Sequence, residues 1–402
     1  MTTKRERYGS GPVNASPLAQ PLHFEPSGRT AKNRFLKSPM AEALATFDPD
    51  IPSKRGIPTN EIVELYRRWG QGKNNWGVIV TGNIDIDYEA IAELSDMIIT
   101  DNDPFEGKRF DQFRALATAA KADGSLILGQ VSHPGRQVSA RFQTHAISAS
   151  AVPLTKYAEA FAIPYAASKE EISRIVEGFA YAAEYLYKAG FDGIELHAAH
   201  GFLLSQFLSR TTNKRTDEYG VQTLGDRLRL ISEIVQAIKV RVPSTFMVAA
   251  KLNSVEFQEG GVTPEDSKEL CRKLEELGLD FVELSGETFE NFGPDGVTLA
   301  RPAAAEPRLP TNIIEGGVTG AIRPFASVEG NFGLSHSIAR TQMSQIAKGK
   351  EPLGHHGSDV VERYTRDWEH WAEKTPGGAG MTEGSITVNF SGPKTSYGVV
   401  EE

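Results

Sequence analysis

The feature that most constrains this chain is the regular return of short apolar runs separated by segments of helical periodicity. Gly77-Val78-Ile79-Val80-Thr81-Gly82-Asn83, Ser125-Leu126-Ile127-Leu128-Gly129-Gln130-Val131, Phe246-Met247-Val248-Ala249-Ala250 and Phe281-Val282-Glu283-Leu284-Ser285 read as strands buried on both faces. A first, shorter run is Arg34-Phe35-Leu36-Lys37. Between the runs, Thr59 to Trp69 carries Ile62, Leu65, Tyr66 and Trp69 at helical spacing, and a second helix is expected over Asp111 to Ala122. A third starts at Ser168, with Glu171 in capping-box position, and runs through Phe179, Ala182, Ala183 and Leu186 to Gly190. Two more are expected over Leu224 to Val240 and Pro264 to Leu277. Strand, helix, strand, helix at this spacing predicts a parallel α/β sheet, with ligands received at the carboxyl ends of the strands.

Composition excludes several partners. A net charge of -9 with no clustered Lys/Arg stripe argues against nucleic acid. No run of about eighteen apolar residues exists to span a membrane, and the basic N-terminus lacks an apolar segment behind it, so a cytoplasmic protein is expected. The single cysteine, Cys271, forbids an internal disulfide and is read as a small buried apolar residue. No GxGxxG follows a strand, so no separate dinucleotide domain is expected.

The chemistry concentrates in residues 190–220, GFDGIELHAAHGFLLSQFLSRTTNKRTDEYG, which put His197 and His200 at the end of an apolar strand. By itself a His-x-x-His pair is compatible with packed structural histidines, an anion or hydrogen-bonding site, or a metal, although a third metal ligand is not apparent. Lys251, at the end of another apolar strand, calls for an anionic partner, because a lone buried ammonium is costly.

Gly190 through Gly201, then Gln206-Phe207-Leu208-Ser209 and Asn213 through Gly220, resemble the old yellow enzymes, NADH:flavin oxidoreductases that carry FMN on a TIM (β/α)8-type barrel. The Lys-Leu-Asn-Ser form of the fifth strand and Asn331-Phe332-Gly333-Leu334 resemble the family's fungal branch, whose members often serve secondary metabolism. The resemblance implies an FMN site made of Pro39, Met40 and Ala41 along the flavin edge, Gly82, Gln130 on the pyrimidine ring, Lys251, and Ala300 and Arg301 towards the phosphate. It also implies NADH or NADPH as reductant. His197 and His200 would hold the oxygen of a conjugated carbonyl substrate, with Phe202 lining the pocket. The expected partner is a small molecule; a homo-oligomer stays open.

Two departures qualify this reading. After the sixth strand only about nine residues separate Gly286 from Gly296-Val297-Thr298-Leu299-Ala300-Arg301-Pro302, whereas a parallel crossover needs about a dozen or more. The family's last strand ends in a similar Gly-Arg-Pro, so one helix-strand-helix unit is missing and the barrel is expected to be incomplete around strand seven. The alternating stretch Ser385 to Phe390 is a candidate patch for the sheet. The expected division is an arm over 1–30, the barrel over 31–350 and a tail over 351–402. The second departure is Phe202, which stands where the family usually has a proton-donating tyrosine. Competing functions are therefore a flavin-free binding protein or pseudoenzyme, and an isomerase or cyclase using the two histidines as acid and base.

Overall fold

The computed structural model describes residues 6–8, 14–154, 158–285, 297–329, 331–373 and 387–398. Its first sheet is an antiparallel hairpin of β1 (Leu22–Phe24) and β2 (Arg29–Ala31), turned at Gly28 with φ 69°. Far from being loose, this part of the lead-in packs Phe24 and Ala31 against Val78, Val80, Leu126, Leu128, Met247 and Ala249, the inward side chains at the base of the main sheet. Phe24 lies 5.7 Å from the ring of Phe281, and Ser27 donates its backbone N–H to Asp280.

The main sheet follows the expected alternation. β3 (Phe35–Lys37) leads to α1 (Asn60–Gly70), capped by Thr59, and the end of β4 (Val78–Asp85) is paired in parallel by a short β5 (Met97–Ile98). α2 (Gly107–Ala120) and β6 (Leu126–Ser132) follow. The stretch Gln137 to Ser168 is not one long loop; it contains β7 (His145–Ser148) paired in parallel with β8 (Ile163–Ala166). The capping box of Ser168 and Glu171 opens α3 (Lys169–Lys188), which delivers the chain to β9 (Gly193–Ala198). After α4 (Leu203–Leu208) and α5 (Leu224–Arg241) come β10 (Met247–Asn253), α6 (Pro264–Glu276), β11 (Phe281–Ser285) and β12 (Val297–Leu299).

The hydrogen-bonded order is β11-β10-β9-β6-β4-β3-β12, all parallel, with α1, α2, α3 and α5 packing their apolar faces on its outer side. This is a barrel of seven parallel strands among the described residues, with β11 and β12 at its two free edges. The residues joining them, 286–296, lie outside the described part of the chain. The sheet is nearly closed, as expected for a TIM-type barrel short of one strand.

α7 (Arg301–Ala305), α8 (Leu309–Ile314), α9 (Ala326–Glu329) and α10 (Phe332–Ala347) complete the ring, with Ala339, Met343 and Ile346 joining the main core. Among the described residues the tail does not patch the sheet. Of Ser385 to Phe390 the first two residues lie outside the described part, and Val388 and Phe390 pack instead with α11 (Ser358–Glu373) and α10 through Tyr364, Val361 and Ile338. Alternation along 385–390 reflects one buried side of an irregular segment, which period alone cannot distinguish from a strand.

Candidate active site

Side chains alternate across a strand, so the residues two steps beyond the apolar base of the barrel also point inward. Along β3 these are Leu36 then Ser38; along β6, Leu128 then Gln130; along β9, Gly193 then Glu195 then His197; along β10, Ala249 then Lys251; along β11, Phe281 then Glu283. Parallel register places Gln130 beside Glu195, and Lys251 between His197 and Glu283. An apolar floor is thus followed by a polar layer, and that layer by the mouth.

Lys251 is 5 % exposed and bonds Glu283 Oε1 at 2.7 Å and Ser38 Oγ at 3.1 Å. The same carboxylate oxygen accepts from Ser38 at 2.5 Å and from Thr298 of β12 at 2.9 Å. Glu283 is thus the anion that Lys251 requires, and it also bridges the seam that backbone pairing leaves open. Burial pushes Glu283 up while Lys251 and its hydrogen bonds pull it down, leaving it below the usual carboxylate range. Glu195, bonded by the Gln130 amide at 2.8 Å, is pushed well above that range by burial and by Glu283. Neither acid was singled out from sequence as a site residue. The available signal was the one that marked Lys251, a charge inside an apolar strand.

His197 and His200 are brought together at the mouth, their rings 5.2 Å apart and nearly perpendicular. His197 is buried, and burial, His200 and Lys251 hold its imidazole well below the ordinary histidine value; burial and Lys251 pull His200 down to about 4. Both imidazoles are therefore neutral at pH 7. The Nδ1 of His197 accepts from the backbone of Ala199 at 3.4 Å, leaving Nε2 to carry the proton. His200 has a left-handed φ of 57°, followed by Gly201 at 75°, and its Nε2 lies 2.8 Å from Ser285 Oγ. Its backbone N–H donates to Asn253, and its carbonyl accepts from Gln137. A non-glycine residue is uncommon in this conformation, and here it is held by bonds from the end of β10 and from the turn at Gln137. Phe202 stacks on His197 at 4.4 Å and carries no ionisable group.

Pro39, Met40 and Ala41 leave the end of β3 at the same mouth. Gly82 lies inside β4 rather than at its end, and what approaches it is the chain itself: an added β-carbon would lie 2.3 Å from the Met40 carbonyl. Its backbone N–H donates to Glu42 at 2.8 Å. The missing side chain leaves room for the 40–42 segment, which Gly82 anchors. Ala300 precedes α7, and Arg301 opens it. The rest of the 190–220 motif is structural. Gln206 bonds Gly201 and Pro134, Asn213 bonds the carbonyls of Phe207 and Tyr219, and Arg215 pairs with Asp217, so these residues brace the loop that carries His200.

For FMN the donor set fits at one end. The Gln130 amide and the Lys251 ammonium lie in the polar layer beneath the mouth, with Ser38 at the end of β3 bonded to Lys251, and the pyrimidine edge of a flavin needs hydrogen-bond donors and a cation. At the phosphate end, the described residues show Arg301 at the start of α7, directly after the seventh and last strand, β12, and no eighth strand closes the barrel there.

The model of the NADH:flavin oxidoreductase / NADH oxidase family matches residues 17–290. Among curated relatives, the NADH-dependent flavin oxidoreductase nadA of Aspergillus parasiticus is 43 % identical over 415 residues, covering 90 % of this chain and 93 % of that one. Since 415 exceeds the 402 residues present here, the relative carries internal residues that this chain lacks. The NADH-dependent flavin oxidoreductase iliE of Hypocrea jecorina is 32 % identical over 281 residues, covering 66 % of each chain. In fold, the old yellow enzyme homologue from Zymomonas mobilis superposes with a TM-score of 0.63 over 76 % of this chain and 94 % of that one, at 23 % identity. Morphinone reductase gives 0.63 over 77 % and 92 %, at 22 % identity.

Proposed function

Because the chain belongs to the NADH:flavin oxidoreductase / NADH oxidase family and is an FMN- and NADH-dependent oxidoreductase, we propose that it transforms a conjugated carbonyl small molecule at the His197/His200 mouth. The observation that carries this reading is the stacked order within the barrel: a buried, ion-paired Lys251 lies one layer below two neutral histidines. The chemistry a bound flavin supplies is hydride transfer, from the nicotinamide to an electron-poor double bond.

The protein's own residues divide the remaining work. Gln130 and Lys251 would hold the pyrimidine edge, with the backbone of Pro39, Met40 and Ala41 along the other side, and Ala300 and Arg301 towards the phosphate. Lys251 offers fixed positive charge where negative charge develops on reduction, and such preorganised electrostatics lower the barrier without reorganisation. His197 Nε2–H and the His200 ring would bind the substrate oxygen and draw electron density from the double bond. Phe202 closes one side of the pocket and donates nothing, so the final proton comes from elsewhere, from water in the simplest case.

The relative nadA and the iliE proteins are fungal, which favours a secondary metabolite as substrate. The test is the visible spectrum of the purified chain with FMN added, titrated anaerobically with NADH. A flavin band that bleaches stoichiometrically, and returns when a conjugated enone is added, is expected. A chain that binds no flavin at any concentration leaves only a flavin-free binding or isomerase role for this barrel.

A further inference from the structure

Two buried side-chain oxygens in the polar layer have no hydrogen-bond partner when both acids are written as carboxylates: Glu195 Oε2 and Glu283 Oε2. They belong to neighbouring groups. Glu195 is anchored on its other oxygen by Gln130 at 2.8 Å, and Glu283 on its other oxygen by Lys251 at 2.7 Å, Ser38 at 2.5 Å and Thr298 at 2.9 Å. Two bare carboxylates facing one another in a dry interior repel, and each orphaned oxygen adds a desolvation cost. One proton removes both problems, converting the two unpaired acceptors into a single O–H···O⁻ bond.

We propose that Glu195 and Glu283 hold one proton between them beneath the flavin site, and that this pair sets, through Lys251, how strongly the protein favours reduced flavin. The proton resides mainly on Glu195, which has only the neutral amide of Gln130 as its other partner, while Glu283 keeps its charge beside the ammonium. The charged or titratable groups facing the pair are Lys251 from β10, His197 from β9 and, behind β3, the fully buried Lys37, whose ammonium bonds Val80 O at 2.8 Å. Burial and Glu283 raise Glu195 in the direction this arrangement requires. Glu195 and Glu283 are positioning residues: both act on the reacting atoms through Gln130 and Lys251. Electrostatically, Glu283 neutralises most of the ammonium, so the site stabilises reduced flavin less than an unpaired lysine would.

This inference rests on the flavin reading, but its test separates the two. In infrared difference spectra of the full chain at neutral pH, wild type minus Glu195→Gln should show the C=O stretch of a protonated carboxylic acid, with or without FMN. The midpoint potential of the FMN-loaded protein should rise in Glu283→Gln by at least the 30 mV or so that corresponds to a tenfold shift of a two-electron equilibrium. It should stay unchanged in Glu195→Gln, which replaces a neutral acid by a neutral amide of the same shape. Absence of the acid band overturns the shared proton, and so does a Glu195→Gln potential that rises as far as that of Glu283→Gln. If Glu283→Gln does not fold, the infrared band and the Glu195→Gln potential still decide. A chain that binds no flavin but shows the band overturns the flavin reading and leaves the shared proton standing.

Discussion

At position 202 a single missing oxygen decides how a reduction could finish. The Phe202 ring stacks on His197, one of the two histidines at the mouth. Phe202→Tyr is expected to accelerate the half-reaction in which pre-reduced enzyme is oxidised by a simple enone, on the order of 10²-fold, the usual yield of a positioned general acid. Stopped-flow flavin reoxidation measures this directly. An unchanged rate would show that another group already delivers the proton. The histidines themselves are neutral for physical reasons rather than by choice of residue, since burial and the nearby Lys251 both oppose a second positive charge.

Among the elements, the hairpin β1–β2 has the least obvious role from sequence and one of the clearest from structure. It lies across the amino-terminal end of the barrel and covers inward-facing Val78, Leu126, Met247 and their neighbours, which would otherwise meet water. Phe24→Ala is expected to destabilise the protein by about 3 kcal/mol, in the range for removing a buried aromatic ring. Urea unfolding of the variant checks this, and a loss below about 0.5 kcal/mol would mean that the hairpin is only loosely seated. The stretch reads as a lead-in because two strands of three residues each, separated by Glu-Pro-Ser-Gly, are too short to show a period.

For the whole molecule, the buried titratable groups predict a stability maximum. His133, His200, His336 and His355 are pulled down to about 4, and His197 is also held well below the ordinary histidine value, chiefly by burial. The unfolded chain therefore binds protons between about pH 4 and 6.5 that the native state refuses, and stability rises with pH across that window. Asp85, raised to about 7 by burial, and Asp96 and Glu195, both raised well above the ordinary carboxylate value chiefly by burial, act in the opposite sense. Their contribution is complete below about pH 4 and is lost as pH climbs through the native values. The histidines outnumber the acids below pH 6.5 and fall silent above it, so stability should peak near about pH 6.5 and decline towards about pH 8. Urea midpoints at about pH 5, 6.5 and 8 test this; a midpoint still rising at pH 8 would contradict it.

Sequence alone determined the alternation of strands and helices, the parallel sheet, and the candidates His197, His200 and Lys251. These follow from local signals: apolar runs, caps, spacing, and a charge inside an apolar strand that must be paired. Only the tertiary structure decided which anion pairs with Lys251, that the same carboxylate ties β11 to β12 across the open seam, and that Glu195 stands beside it. Those relations depend on register between strands far apart in the chain, and a shift of one residue would turn every one of these side chains to the other face. The same holds for Gly82 and for Val388 and Phe390, whose neighbours are set by how distant segments cross, information that no local pattern carries.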